Sequence, residues 1–235
     1  MTSTWQAAAD TLAADLRNVF GDRLRSVVAY GPHLEGDEQA PLTSLALVSS
    51  LGVSDLEGCA QRASRWERAG VATPLLVPEA EFRRSLDVFP LEYAEIIRTH
   101  ARVYGDDPFT GVTIAAADLR RACEAQIKSH LVHLREGFIE SGGKPTAVAS
   151  LVGASAPAFA ALLRNVARLT GVTTTNRVDA TREGARAAGV HDALLGQLLA
   201  LERPATIPAG DAARLFPEYL AAVERMADVV DTWRE

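Results

Sequence analysis

Two cysteines, Cys59 and Cys123, are all that the 235 residues contain. They stand far apart, each inside an apolar helical pattern, so neither a disulfide framework nor a zinc site is expected, and both read as reduced core residues. Positive charge is also short, with 24 Lys and Arg against 30 Asp and Glu and a formal net charge of −6. Broad binding to a phosphate backbone needs a surplus of cations to displace counterions, so nucleic acid is not an expected partner. The N-terminal stretch Met1-Thr2-Ser3-Thr4-Trp5-Gln6 lacks a basic run followed by an apolar one, and no segment is expected to reach the length of a bilayer crossing. These absences predict a cytoplasmic protein without a membrane partner. Internal repeats and low-complexity tracts are absent as well.

What the chain does have is a globular composition, 48% hydrophobic and 23% charged, rich in the helix formers Ala and Leu. The length suits two small domains, each able to bury its own core. Ser3 or Thr4 can cap a first helix that presents Trp5, Ala9, Leu12, Leu16 and Val19 on one face, with Gly21 ending it. The β-branched run Leu24 to Tyr30 predicts a strand stopped by Gly31-Pro32, and Thr43 to Ser49 predicts a second after a polar loop. Ser54 with Glu57 predicts a capping box for a helix through Leu56, Cys59, Ala63 and Trp66, closed by Gly70. Val71 to Val77 predicts a third strand, which Pro74 shortens or pushes to the sheet edge. Short helices follow from Pro78-Glu79 to Leu86 and from Pro90 to Thr99, then a last small strand at Arg102 to Gly105. From Ala115 onward the periodicity is helical almost throughout, broken at Ser141-Gly142-Gly143, Gly171, Gly189 and Pro204 to Pro208, which predicts a bundle of five or six helices. The boundary is placed at 112/113.

This order of elements resembles the nucleotidyltransferase-like superfamily that includes the kanamycin-type and minimal enzymes. In that family a Gly-Ser turn after the first strand holds the triphosphate. An Asp-x-Asp pair on the second strand and a third carboxylate from a later strand bind two divalent metals, which neutralise the triphosphate and activate the incoming hydroxyl. The resemblance puts Gly31 at the family glycine, Pro32 in place of the serine, and Ser44 and Ala46 at the two aspartates; Ala72, Thr73 and Pro74 offer no third carboxylate. A one-residue slip would substitute Thr43 and Leu45, which are no better as ligands. The stretch Ser85 to Tyr93, followed by His100-Ala101-Arg102-Val103-Tyr104-Gly105-Asp106-Asp107-Pro108-Phe109, is similar to the end of the catalytic domain in a bacterial group of uncharacterised nucleotidyltransferase-like proteins.

The resemblance implies an α+β N-terminal nucleotidyltransferase-like domain with a small mixed sheet over residues 1–112, followed by an all-α helical bundle over 113–235. It also implies a degenerate site, with no catalytic residue, metal or cofactor. Asp37 and Glu38 in the loop after Gly31 are the acids nearest to the lost ligands, but exposed loop acids are ordinarily solvated. Asp87, Glu92 and Glu95 fall at predicted helix ends, where caps and surface pairs explain them. On the first bundle helix, His130, His133 and Glu136 step by three, a spacing compatible with zinc, although a polar stripe beside the core is the favoured reading. The candidate ligand-binding residues are Gly31, His33, Ser44, Lys128 and Arg135, the two cations facing an anion if the bundle closes over the Gly31 turn. Arg186 and His191 match the Arg-x4-His spacing of certain ribonuclease toxins, with Gly189 expected to break their common face. Ser64 and Ser155 have no base or acid in attendance, which leaves a hydrolase without support. The leading expectation is a noncatalytic protein that binds a small anionic ligand or a protein partner through the cleft between its domains. The alternatives are an active transferase with relocated metal ligands and an antitoxin-like or structural interaction protein, and a homo-oligomer is compatible with any of them.

Overall fold

The computed structural model describes residues 4–37, 39–174, 176–200 and 209–233. Ser3, Glu38 and the stretch 204–208 lie outside them. The chain divides into two compact units, Met1–Ala115 and Ala116–Glu235, three residues beyond the expected boundary.

The first unit is an α+β domain. Helix α1 (Thr4–Phe20) leads through a short 3-10 turn into β1 (Leu24–Tyr30), and a loop connects β1 to β2 (Thr43–Val48). Helix α2 (Val53–Arg68), β3 (Leu75–Pro78), the short α3 (Glu79–Arg84), α4 (Pro90–Arg98) and β4 (His100–Gly105) complete it. The four strands form one mixed sheet in the order β3-β2-β1-β4. β1 runs antiparallel to both β2 and β4, and β2 runs parallel to β3.

Alternation along β1 and β2 sends successive side chains into two separate cores. Val27, Ala29, Ala46 and Val48 pack with Leu12 and Leu16 of α1 and with Cys59 and Trp66 of α2. Val28, Leu45 and Leu47 pack on the other face with Phe82 of α3, Tyr93 and Ile96 of α4, and Phe109. The first core holds one buried carboxylate, Asp15, which accepts the Trp66 indole N–H at 2.9 Å and is ion-paired with Arg62 and Arg65. Such pairing is what makes a buried charge tolerable.

Two local expectations need correction. The third strand begins at Leu75, because Pro74 has no N–H to give; upstream of it only Val71 touches the sheet, through an isolated bridge to Leu42. Helix α2 starts at Gly52 and Asp55, not at Ser54 and Glu57. The Asp55 carboxylate accepts the Gly52 N–H at 2.9 Å and is bridged by the Arg23 guanidinium at 2.6 and 2.8 Å. That guanidinium, and then the Gly52 N–H, hold the Asp55 pKa down at about 2.

The second unit contains five helices among its described residues: α5 (Ala116–Glu140), α6 (Pro145–Leu169), α7 (Arg177–Ala187), α8 (Asp192–Leu199) and α9 (Ala209–Thr232). α6 packs against each of the other four. It also corrects an expectation, for its 25 residues are long and apolar enough to cross a bilayer by length and composition. In the structure that apolarity lines the bundle core with Val152, Phe159, Leu163 and Val166. The approach of α7 is so close that a Cβ at Gly184 would fall inside the Leu163 carbonyl. Both cysteines are buried and free, and burial pushes the Cys123 thiol up to about 12.

Candidate functional site

β1 delivers the chain to Gly31, whose backbone (φ 85°, ψ −164°) is open to glycine alone. A Cβ there would stand 2.6 Å from the Thr43 hydroxyl oxygen. That hydroxyl donates to the Tyr30 carbonyl at 2.6 Å, so the end of β1 and the start of β2 are locked together through Thr43. Pro32 opens a 3-10 turn over Pro32–Glu35, which ends at Gly36 in the left-handed region.

The loop that follows is held by its own bonds. The Leu34 N–H reaches the Gly31 carbonyl at 3.0 Å, the Asp37 N–H reaches the Pro32 carbonyl at 3.1 Å, and His33 Nδ1 lies 2.8 Å from the Ala40 carbonyl. The Asp37 carboxylate accepts the Gln39 N–H at 3.2 Å, a turn-forming role. Sequence reasoning missed the acid that is buried here. Glu35, its side chain 3% exposed, pairs at 2.6 Å with Arg98 of α4, which also holds Glu95 at 2.9 Å. The partners are 63 residues apart in the chain, and no local spacing announces them.

β2 is closed on both faces. Ser44, opposite Ala29, is 2% exposed and its hydroxyl finds no hydrogen-bond partner among the described residues; Ala46, opposite Val27, is 0% exposed. Their face is covered by α1 and α2. Leu45 and Leu47 lie under α3 and α4, so the one-residue slip also ends in a packed core. None of the four strands contains an Asp or a Glu. Among the described residues no group of three or more His, Cys, Asp or Glu is placed to hold a metal ion.

The structure places Gly31, His33 and Ser44 at one end of the sheet, and Lys128 and Arg135 on α5 in the second unit. Lys128 is ion-paired with Glu124 at 2.6 Å and with Asp231 at 3.0 Å, and Arg135 with Glu224 at 2.8 Å. Both cations thus clip α5 to α9. His130 and His133 bond to different partners. His130 Nε2 lies 2.7 Å from the Tyr219 hydroxyl, and burial, assisted by the neighbouring His133, lowers its pKa to about 4. His133 is exposed and bonds Glu136 at 3.0 Å.

α7 ends at Ala187 and Gly189 is left-handed, so Arg186 and His191 share no helix face, as expected, although both line one concavity. Arg186 is held by Glu183 at 2.8 Å, Arg182 lies 3.8 Å from Asp179, and Asp192 sits on the same wall. Acids match the two arginines there.

A further concavity, about 550 Å³, lies beside the Gly31 turn. Its walls are the first turns of α1, His33, Leu34, Gly36 and Gln39 to Leu42 of the loop, and the turn at Ala69-Gly70.

Comparison with solved structures finds a spectinomycin adenyltransferase, AAD(9), from Enterococcus faecialis, solved with ATP and spectinomycin. The two share 11% identity with a TM-score of 0.58, over 96% of this chain and 99% of that one. At that identity the likeness shows the fold, which is nucleotidyltransferase-like, and nothing about activity. No family profile matches the sequence, and no curated protein matches it either.

Proposed function

We propose that this chain is a noncatalytic nucleotidyltransferase-like protein that binds a small molecule or a protein partner. The observation that carries the reading is β2, a strand without a carboxylate, buried on both faces at the positions where the resemblance puts two metal ligands. Two-metal transfer needs hard oxygen ligands, preferably charged and open to the triphosphate. Neither Ser44 nor Ala46 meets those terms, and neither does Thr43 or Leu45. Relocated ligands find little support: Asp37 is engaged in a turn, and Glu35 is drawn into an ion pair with Arg98. The preference for an anion loses its basis as well, because Lys128 and Arg135 are matched by acids.

Thermal unfolding with each nucleoside triphosphate, with and without Mg²⁺, tests this reading. A ligand at a hundred times its dissociation constant adds about 2.7 kcal/mol of stability, several degrees in a chain of this size. The expected outcome is no Mg²⁺-dependent rise in midpoint. A rise that requires both Mg²⁺ and a triphosphate would return the chain to the active transferases.

A further inference from the structure

From Pro145 to Leu163, helix α6 contains no Lys, Arg, Asp or Glu. A helix that is apolar on every side is expected to be covered on every side. α6 is not: its larger residues Val152, Phe159, Leu163 and Val166 face the bundle core, yet only 39% of its most apolar stretch is buried. Its outward face consists of Ser150, Ala154, Pro157 and Ala158, all exposed, with Ala147 and Ala161 half-buried beside them. At 3.6 residues per turn these six positions fall within about 100° of one another.

The same face continues onto α5 across a groove of about 580 Å³. Its walls include Ala158, Ala161 and Leu162 of α6 and Ala125 and Ser129 of α5, and no Lys, Arg, Asp or Glu among the described residues. Val132, 49% exposed, stands three residues further along α5.

Two covers suit an uncharged helical face, a bilayer and another protein. Insertion into a bilayer needs bulky apolar anchors such as Trp, Phe or Leu, and the outward positions of α6 carry only Ala, Ser and Pro. Between helices small side chains have the opposite merit, since they let the axes approach closely and have little rotamer entropy to lose. Among protein partners a second copy is favoured. Interfaces between identical chains are more apolar than those between different ones and are poor in charge at their centre, as this face is. The 25 residues of α6 span about 37 Å, and the α5–α6 face is about 20 Å wide. A two-fold contact would thus bury roughly 700 Å² per copy, close to the about 800 Å² of a standard stable interface.

We propose that the chain forms a two-fold dimer in which α6 of each copy lies in the α5–α6 groove of the other. The contact is self-complementary, because α6 supplies both the ridge and one wall of the groove. The inference goes beyond the noncatalytic reading, which does not depend on it.

Sedimentation equilibrium of the full chain at about 100 µM tests it, a concentration that populates even a weak interface of this size. The expected mass is twice the 25.1 kDa of one chain. Ala158→Arg places a charge in the groove of each copy and should weaken the dimer at least about a hundredfold. Val178→Arg, at a 48% exposed position on α7, should leave it intact. Ala158 is exposed, so circular dichroism should find its variant folded; if it does not, Ser129→Arg, from the exposed opposite wall of the groove, takes its place. A monomer at that concentration would overturn the inference, and so would a dimer that survives a charge in the groove. A monomer that sediments with phosphatidylcholine vesicles would overturn it too and hand the face to a membrane.

Discussion

Replacing Ala46 with Asp would put a carboxylate at a position where the superfamily resemblance expects one. Ala46 is 0% exposed, with Val27 opposite on β1 and Leu76 opposite on β3, inside the core made by α1 and α2. A carboxyl with no water and no cation beside it titrates roughly 3 to 5 units above its free value, and each unit is about 1.36 kcal/mol. The folded-state pKa then lies at about 7 or above, so at pH 7 the loss is set by the roughly 3 units between the free value and pH 7, about 4 kcal/mol, a large part of the roughly 5 to 15 kcal/mol that holds a native protein together. Ala46→Asn, nearly the same shape without the charge, separates that electrostatic cost from the cost of crowding. Urea unfolding followed by circular dichroism should find Ala46→Asp far less stable than Ala46→Asn at pH 7. Because the folded-state pKa is raised, the deficit is complete above it and fades as pH falls toward the free carboxyl value. Mn²⁺ or Mg²⁺ should not restore stability. If Ala46→Asp were as stable as Ala46→Asn at pH 7, or were stabilised by either metal, β2 would be open to a metal site and the noncatalytic reading would fail.

His130 supplies a pH signature of the second unit. Its pKa falls from about 6.5 in the unfolded chain to about 4 in the fold, so unfolding takes up a proton in that window, and stability should drop by about 2 to 3 kcal/mol as pH is lowered through it. His130→Gln, without a titrating ring, should lose less over the same range in urea melts, and equal losses would refute the assignment. Gly184→Ala should destabilise the bundle by about 1 to 3 kcal/mol or more, because α7 must back away from the Leu163 carbonyl. A thermal midpoint unchanged by that substitution would disprove the close approach.

The parts of the fold that were legible in the sequence are those fixed by local periodicity. Leu24 to Tyr30 and Thr43 to Val48 declare themselves by β-branched residues and a glycine turn, and α5 and α6 by length and the Gly142-Gly143 break between them. Errors arose where a local rule met a tertiary contact. Ser54 has the side chain of a helix cap, yet the Asp55 carboxylate is drawn back to Gly52 by Arg23, so the helix starts earlier. Val71 has the character of a strand residue, but the chain rejoins the sheet only after Pro74. The length of α6 escaped notice because its apolar residues are mostly small and are spread through a helical period. At the candidate site, Gly31 was legible because its turn is local. The Glu35–Arg98 pair and the concavity walled by α1, the loop and the Ala69-Gly70 turn were not, since they join segments far apart in the chain.

The Glu35–Arg98 pair also makes the loop a mechanical link. His33 and Leu34 border the concavity, while Glu35, the next residue, is fastened to α4, which lies against the opposite side of the sheet. A molecule that displaces the short Pro32–Glu35 turn must therefore strain that pair, because a 3-10 turn of four residues has little slack between its bonds. Occupancy on one side of the sheet then has a lever on the other, and α4 is where its movement would be read.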